Sequence, residues 1–204
     1  MNTKDCKRCG TCCSKGGPSF HFEDKGIIED GLIPANHLYT IRKGEPIRDN
    51  ISGSIIYAPS DIIKIRGQGN SWTCLYYNDD EKKFGIYECR PLECRVLKCW
   101  DTREIESIYG KSMLSRKDLF SKVEGLWDLV TDYDERCSYE EIAGLIRETG
   151  SRARGRLSEK AAELIEYDNT IRELVVKKGN LDFDLLDFLF GRPLSVTLKT
   201  LVLI

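Results

Sequence analysis

Four cysteines fall within eight residues near the start of the chain: Cys6, Cys9, Cys12 and Cys13, in CKRCGTCC. A run this dense in thiols serves packing, disulfides, reactivity or metal binding, and each use demands a different fold. Packing fails on the neighbours. Free cysteine behaves as a small hydrophobe, yet Lys4, Lys7, Arg8, Thr11 and Lys15 surround these four and make no apolar pattern. Disulfides fail on number and setting. Nine cysteines cannot all pair within one chain. The polar, cysteine-rich start has no apolar core of a secretory leader, so a cytoplasmic location is expected, where disulfides are disfavoured. Nor does a chain of 204 residues need cross-links to fold, since it buries roughly two thirds of its unfolded surface.

Metal binding suits the spacing. C-x₂-C lets two thiolates reach one ion while the amides between them donate to sulfur. Here the step of three recurs, Cys6 to Cys9 to Cys12, with Cys13 added and Gly10, Gly16 and Gly17 to let the loop curl. A second group follows in ECRPL, ECRVL and KCWDT, which puts Cys89, Cys94 and Cys99 at a period of five. Residues five apart turn by about 140° on a helix and alternate faces on a strand. Pro91 also interrupts either element, so these three meet only if the backbone wraps around a common object. Cys74 stands between the groups. Arg90, Arg95, Lys98 and Arg103 join the N-terminal cations beside the thiols, and nearby positive charge favours thiolate.

Eight cysteines, Cys6, Cys9, Cys12, Cys13, Cys74, Cys89, Cys94 and Cys99, form the candidate ligand set, enough for two four-ligand sites. Adjacent Cys12 and Cys13 point differently, so they serve two metals or one of them is spare. Steps of three resemble the start of a ferredoxin-type loop, whereas the second group lacks the C-x₂-C pairs usual for zinc. An Fe–S cluster is therefore favoured over zinc as the cofactor. Cys137, alone, reads as a packing residue. His21, eight residues beyond Cys13 and near Glu23 and Asp24, is a candidate ligand or proton carrier. His37 has no ligand spacing around it.

Other chemistries lack their motifs. There is no G-x₄-G-K-[ST] phosphate loop, no G-x-G-x-x-G after a strand, and no G-x-S-x-G elbow. The net charge of −2 gives no bulk attraction to nucleic acid or anionic lipid. The basic run RETGSRARGR (147–156) has no interleaved aromatics to suggest RNA. No apolar run approaches the roughly 20 residues that span a bilayer. A protein partner is expected; membrane and nucleic acid are not.

The texture divides the chain. Residues 1–103 carry eight cysteines and five of the six prolines, and read as an irregular metal-binding domain with short strands. GSIIYAP and DIIKIRG suggest strands or one short helix, and SWTCLYYND with KKFGIYEC a hairpin turning at NDDEK. Residues 104–204 read as a helical region packed on the first. REIESIYGKSML suggests a short helix, and SRKDLFSKVEGLWDLVTDYDERC a continuous one, with Leu119, Val123, Leu126, Trp127 and Val130 at helical spacing. Ser138 with Glu141 forms a capping box for a helix that Gly150 stops. A helix capped by Ser158 and a short one in DFDLLDFLF follow. The tail LSVTLKTLVLI reads as a terminal strand or packed tail. The expected class is α+β.

CKRCGTCC together with IYECRPLECRVLKCW resembles the YkgJ-type family of cysteine-cluster proteins, also called the CxxCxxCC zinc- or iron-chelating domain. The matched features are C-x₂-C-x₂-C-C, a mid-chain cysteine after Trp72-Thr73, and I-Y-x₂-R-P-x₂-C-R, over residues 5–103. The resemblance implies metal chelation by Cys6, Cys9, Cys12, Cys13, Cys74, Cys94 and Cys99. The family pattern also places a cysteine two residues before Ile-Tyr; this chain has Phe84 there, and Cys89 is the candidate substitute. The resemblance implies little beyond chelation; from the thiol spacing, the expected roles are an Fe–S protein for electron transfer, sensing or cluster handling, or a structural zinc module that mediates protein interaction. Because a related group includes the flagellin lysine methylase, a cluster-dependent enzyme is the third.

Overall fold

The computed structural model describes residues 9–150 and 159–202. The protein is α+β. Its strands are Leu38–Ile41 (β1), Pro46–Arg48 (β2), Ile55–Tyr57 (β3), Ile62–Ile65 (β4), Tyr77–Asn78 (β5) and Lys83–Phe84 (β6). They pair antiparallel as three two-stranded sheets, β1 with β4, β2 with β3 and β5 with β6. The α-helices among the described residues are Lys25–Glu29 (α1), Leu92–Val96 (α2), Arg103–Ile108 (α3), Arg116–Phe120 (α4), Leu126–Arg136 (α5), Tyr139–Gly150 (α6), Glu159–Gly179 (α7), Leu186–Leu189 (α8) and Leu194–Val202 (α9).

A two-stranded sheet is marginal alone and needs a layer to cover it. For β1–β4 that layer is helical. Leu38 lies opposite Ile65 and Thr40 opposite Ile63, and all four side chains are buried. The Thr40 hydroxyl donates to the Phe188 carbonyl at 2.7 Å, tying β1 to α8. The same core takes in Phe20, Ile33, Leu114, Val130, Tyr133, Ile142, Phe190, Leu194 and Leu198. Residues on both sides of position 103 therefore share one apolar cluster.

Buried ion pairs cross the same boundary. Arg116, 1 % exposed, reaches Asp61 Oδ2 through Nε at 2.7 Å, Asp134 Oδ2 through Nη2 at 2.6 Å and the Leu189 carbonyl through Nη1 at 2.6 Å. Asp134 also accepts from Arg42 at 3.2 Å, and the Arg42 guanidinium lies between the rings of Tyr133 and Tyr139. A second knot forms at Asp168, which accepts from Tyr133 Oη at 2.7 Å, Arg172 Nε at 2.6 Å and the Leu194 amide at 2.8 Å.

Three sequence expectations need correction or completion. The run from Ser115 to Cys137 is not one helix. Ser115 and Asp118 form a reciprocal capping box that starts α4. The chain then breaks before α5 at Gly125, whose φ of +75° suits glycine. Val123, expected on the buried face, is left 49 % exposed in that break. The C-terminal segment is the helix α9, not a strand. Its β-branched content suggests a strand, but Asp168 caps the Leu194 amide, and Leu194, Thr197 and Leu198 turn inward at helical spacing. GSIIYAP and DIIKIRG are both strands, yet they belong to different sheets. Ser158 and residues 151–156 of the basic run lie outside the described residues; for Arg147–Gly150 only their place at the end of α6 is described.

Candidate metal centre

Three segments distant in sequence bring thiols together. The first is the loop after Gly10. Gly10 has φ +76°, and a Cβ there would stand 2.0 Å from Tyr77 Oη. Gly17 approaches as closely, since its Cβ would meet the Ile65 carbonyl at 2.3 Å. Only glycine lets the loop lie this tightly against β4 and β5. Between them Cys13–Lys15 forms a 3₁₀ turn. The second segment is joined to it by the Cys74 amide, which donates to the Cys13 carbonyl at 2.7 Å. The third is α2, which carries Cys94 and has Pro91 as its N-cap, the proline position that the sequence marked as a break.

The thiols of Cys12 and Cys13 are 3.9 Å apart. That contact lowers the Cys12 pKa and raises that of Cys13. The charges of Cys12, Cys74 and Cys94 act on Cys13 as well, and a side-chain hydrogen bond with Cys99 lowers the Cys12 pKa further. Burial pushes the Cys74 thiol up, with Lys64 opposing. Burial likewise pushes Cys94 up, reinforced by the charges of Cys74, Glu93 and Cys12. Cys12, Cys13, Cys74, Cys94 and Cys99 thus occupy one electrostatic neighbourhood.

The remaining candidates lie differently. Cys9 is exposed, with Sγ 3.3 Å from the Thr11 hydroxyl, a contact that lowers its pKa. Cys89 sits in the 3₁₀ turn Tyr87–Cys89, near enough to Tyr76 for its charge to act on that phenol. Cys6 lies outside the described residues. Cys137 is buried within the core, as expected of a packing cysteine. All eight described cysteines are thiols rather than disulfides. Among the described residues, no three His, Cys, Asp or Glu side chains already surround a single point. Side-chain rotation within the neighbourhood would be needed to close a ligand shell, and such closing on binding is usual where metal and folding are coupled.

Charged residues that the motif search passed over brace α2 from behind. Asp24 is fully buried. It accepts the His21 amide at 3.0 Å, the Leu92 amide at 2.8 Å and Arg95 Nη2 at 3.4 Å. It therefore satisfies a first-turn donor of the helix that carries Cys94. Glu93 accepts the Ser19 amide at 2.7 Å and faces His21 Nε2 at 3.7 Å. Burial disfavours its charge, but His21, Lys64 and the Ser19 amide outweigh that and hold its pKa below the usual range. His21 has its other ring nitrogen 2.8 Å from the Lys111 carbonyl, and Glu93 raises its pKa. Its Nε2 is buried without a hydrogen-bond partner and faces Glu93, on α2, across 3.7 Å. His37 pairs with Tyr76 Oη at 2.6 Å. Lys64 was legible as a cation inside the apolar strand DIIKIRG; it donates to Ser19 Oγ at 3.1 Å and acts on Cys74 and Cys94. Asp24 had no comparable sequence signal.

This bracing predicts a measurable effect. Asp24→Ala leaves the Leu92 and His21 amides without their acceptor and frees the start of α2. Metal affinity, measured by competition with a chromophoric chelator, is expected to fall about tenfold or more, as for other groups that orient ligands from behind.

Among the described residues, no helix is long and apolar enough to cross a membrane. Residues 5–112 match a family model described as "CxxCxxCC: Putative zinc- or iron-chelating domain". No curated protein and no solved structure matches the chain.

Proposed function

The chain belongs to the CxxCxxCC family of zinc- or iron-chelating domains, and from that membership we propose that its thiolates hold an Fe–S cluster used in electron transfer, sensing or cluster handling. The observation that supports the reading is the contact between separate segments at the thiols: Cys12 and Cys13 are 3.9 Å apart, the Cys74 amide bonds the Cys13 carbonyl, and Cys94 lies within electrostatic reach of Cys13. The donor set fits a thiophilic metal. Its sulfurs lie where their negative charges oppose one another, and a cation at their centre reverses that penalty. The step of three from Cys6 to Cys12 is that of ferredoxin-type loops, whereas zinc sites usually show separated C-x₂-C pairs.

When bound, such a cluster supplies reversible one-electron chemistry. The chain's own residues prepare the place for it. The contact with Cys13 holds the Cys12 pKa below its usual value. Lys64 offsets thiolate charge at Cys74 and Cys94. Asp24 and Glu93 fix the angle at which α2 presents Cys94. Gly10 and Gly17 permit the close approach of the first loop.

A structural zinc site is the second reading, favoured by Cys13 standing under the charges of Cys12, Cys74 and Cys94, a four-sulfur set. One experiment separates the two. Protein purified without oxygen is expected to be brown, with broad visible absorption and iron and acid-labile sulfide in stoichiometric amounts. Colourless protein with tightly held zinc and no sulfide would reject the cluster and support the zinc module.

A further inference from the structure

The hairpin β2–β3 carries an uncovered apolar edge. Every residue from Asn50 to Tyr57 is exposed. Ile51, Ile55, Ile56 and Tyr57 are 59, 49, 36 and 61 % exposed. From Asn50 to Ser60 there is no charged side chain. The carboxylates that bound this stretch are already engaged, Asp49 by Ser52 and Asp61 by Arg116. Exposed strand edges are normally protected by charge, by proline or by a covering element; here Pro59 alone limits the edge.

The ladder shows which groups that edge offers. The Ala58 amide donates to the Glu45 carbonyl, and the Asp49 amide to the Ser54 carbonyl. Hydrogen-bonded pairs alternate along an antiparallel ladder, so Ile56 bonds to Ile47, its register partner. Ile55 and Tyr57 face Arg48 and Pro46 at the non-bonded positions. Their amides and carbonyls point away from β2, and among the described strands none pairs with that side.

We infer that the free edge of β3 is the contact by which a second copy of this chain binds, strand to antiparallel strand, about a two-fold axis at Ile56. The edge is self-complementary. Ile55 of one copy meets Tyr57 of the other, and each such pair exchanges two backbone hydrogen bonds. All four outward groups on each copy are thereby used. The ladder ends where Pro59 lacks an amide hydrogen, so the pairing closes as a dimer instead of propagating. No like charges meet across it. Three large side chains per copy, Ile55, Ile56 and Tyr57, make an interface of about 1,000 Å² or less, the size of weak and transient complexes, so association is concentration-dependent.

The test is sedimentation velocity on metal-loaded, reduced protein from about 10 to 500 µM, where mass action moves a weak dimer. Wild type is expected to shift toward twice the monomer mass. Ile55→Pro removes one outward amide and leaves the β2–β3 ladder intact. It is expected to raise the dimer dissociation constant at least about tenfold, with unchanged metal content and circular dichroism. Tyr57→Lys, which places charge on the axis-flanking position, should do the same and stands in if the proline variant misfolds. A wild type that stays monomeric over the whole range overturns the inference. A dimer undiminished in both folded variants does so too.

Discussion

Cys94→Ser is expected to strip the protein of most of its metal. A serine hydroxyl keeps its proton at neutral pH and is a poor ligand for a thiophilic ion. If a thiolate-bound metal contributes about 10–16 kcal/mol, as in small zinc domains, losing one ligand of four costs about 3 kcal/mol, or roughly 100-fold in affinity. Cys94 is the informative choice because it meets Cys12, Cys13 and Cys74 electrostatically and sits on the braced helix α2. Metal per chain, by elemental analysis after gel filtration, should fall well below wild type. Cys137→Ala, in the core, should leave metal content alone while lowering the unfolding midpoint. Unchanged metal in Cys94→Ser would remove that residue from the ligand set.

Arg116→Ala is expected to destabilise the fold by about 3–5 kcal/mol, because it leaves carboxylates and a carbonyl without their buried partner. Asp61 loses its guanidinium, the Leu189 carbonyl loses its donor, and Asp134 keeps only Arg42. Those partners come from the residue just before β4, the end of α8 and the last turn of α5, so one substitution loosens three elements. Such a loss is a large part of the 5–15 kcal/mol by which domains are stable. Urea unfolding followed by circular dichroism should show the midpoint fall. Metal per folded chain should hold, which sets this variant apart from Cys94→Ser. Arg116→Lys is expected to recover only part of the loss, because an ammonium cannot reproduce the fork that spans Asp61 and Asp134.

Part of the candidate site was legible from residue types and spacing. Thiol density at the N-terminus, the break at Pro91 and the isolation of Cys137 depend on local chemistry, and each has its counterpart in the fold. The brace behind Cys94 was not legible. Asp24 caps α2 across 68 residues of sequence, and no local pattern announces a carboxylate that will meet the Leu92 amide. His21 stands beside Lys111 and Glu93, neither of which is near it in sequence: Nδ1 lies 2.8 Å from the Lys111 carbonyl and Nε2 faces Glu93 at 3.7 Å. The helix expected through Ser121–Gly125 had the right spacing and no partner for Val123, so the backbone turned there.

The sequence by itself determined the chemistry: soft sulfur donors in a dense group, cations beside them, glycines where the chain must bend, and the capping signals of α4. These follow from side-chain identity and near-neighbour geometry, which the order of residues states directly. Tertiary structure alone decided which thiols meet, that β3 and β4 join different sheets, and that the β-branched tail is a helix. Each of those outcomes is set by buried contacts between residues far apart in the chain. Such contacts are selected by the packing of the whole core, and no single segment encodes them.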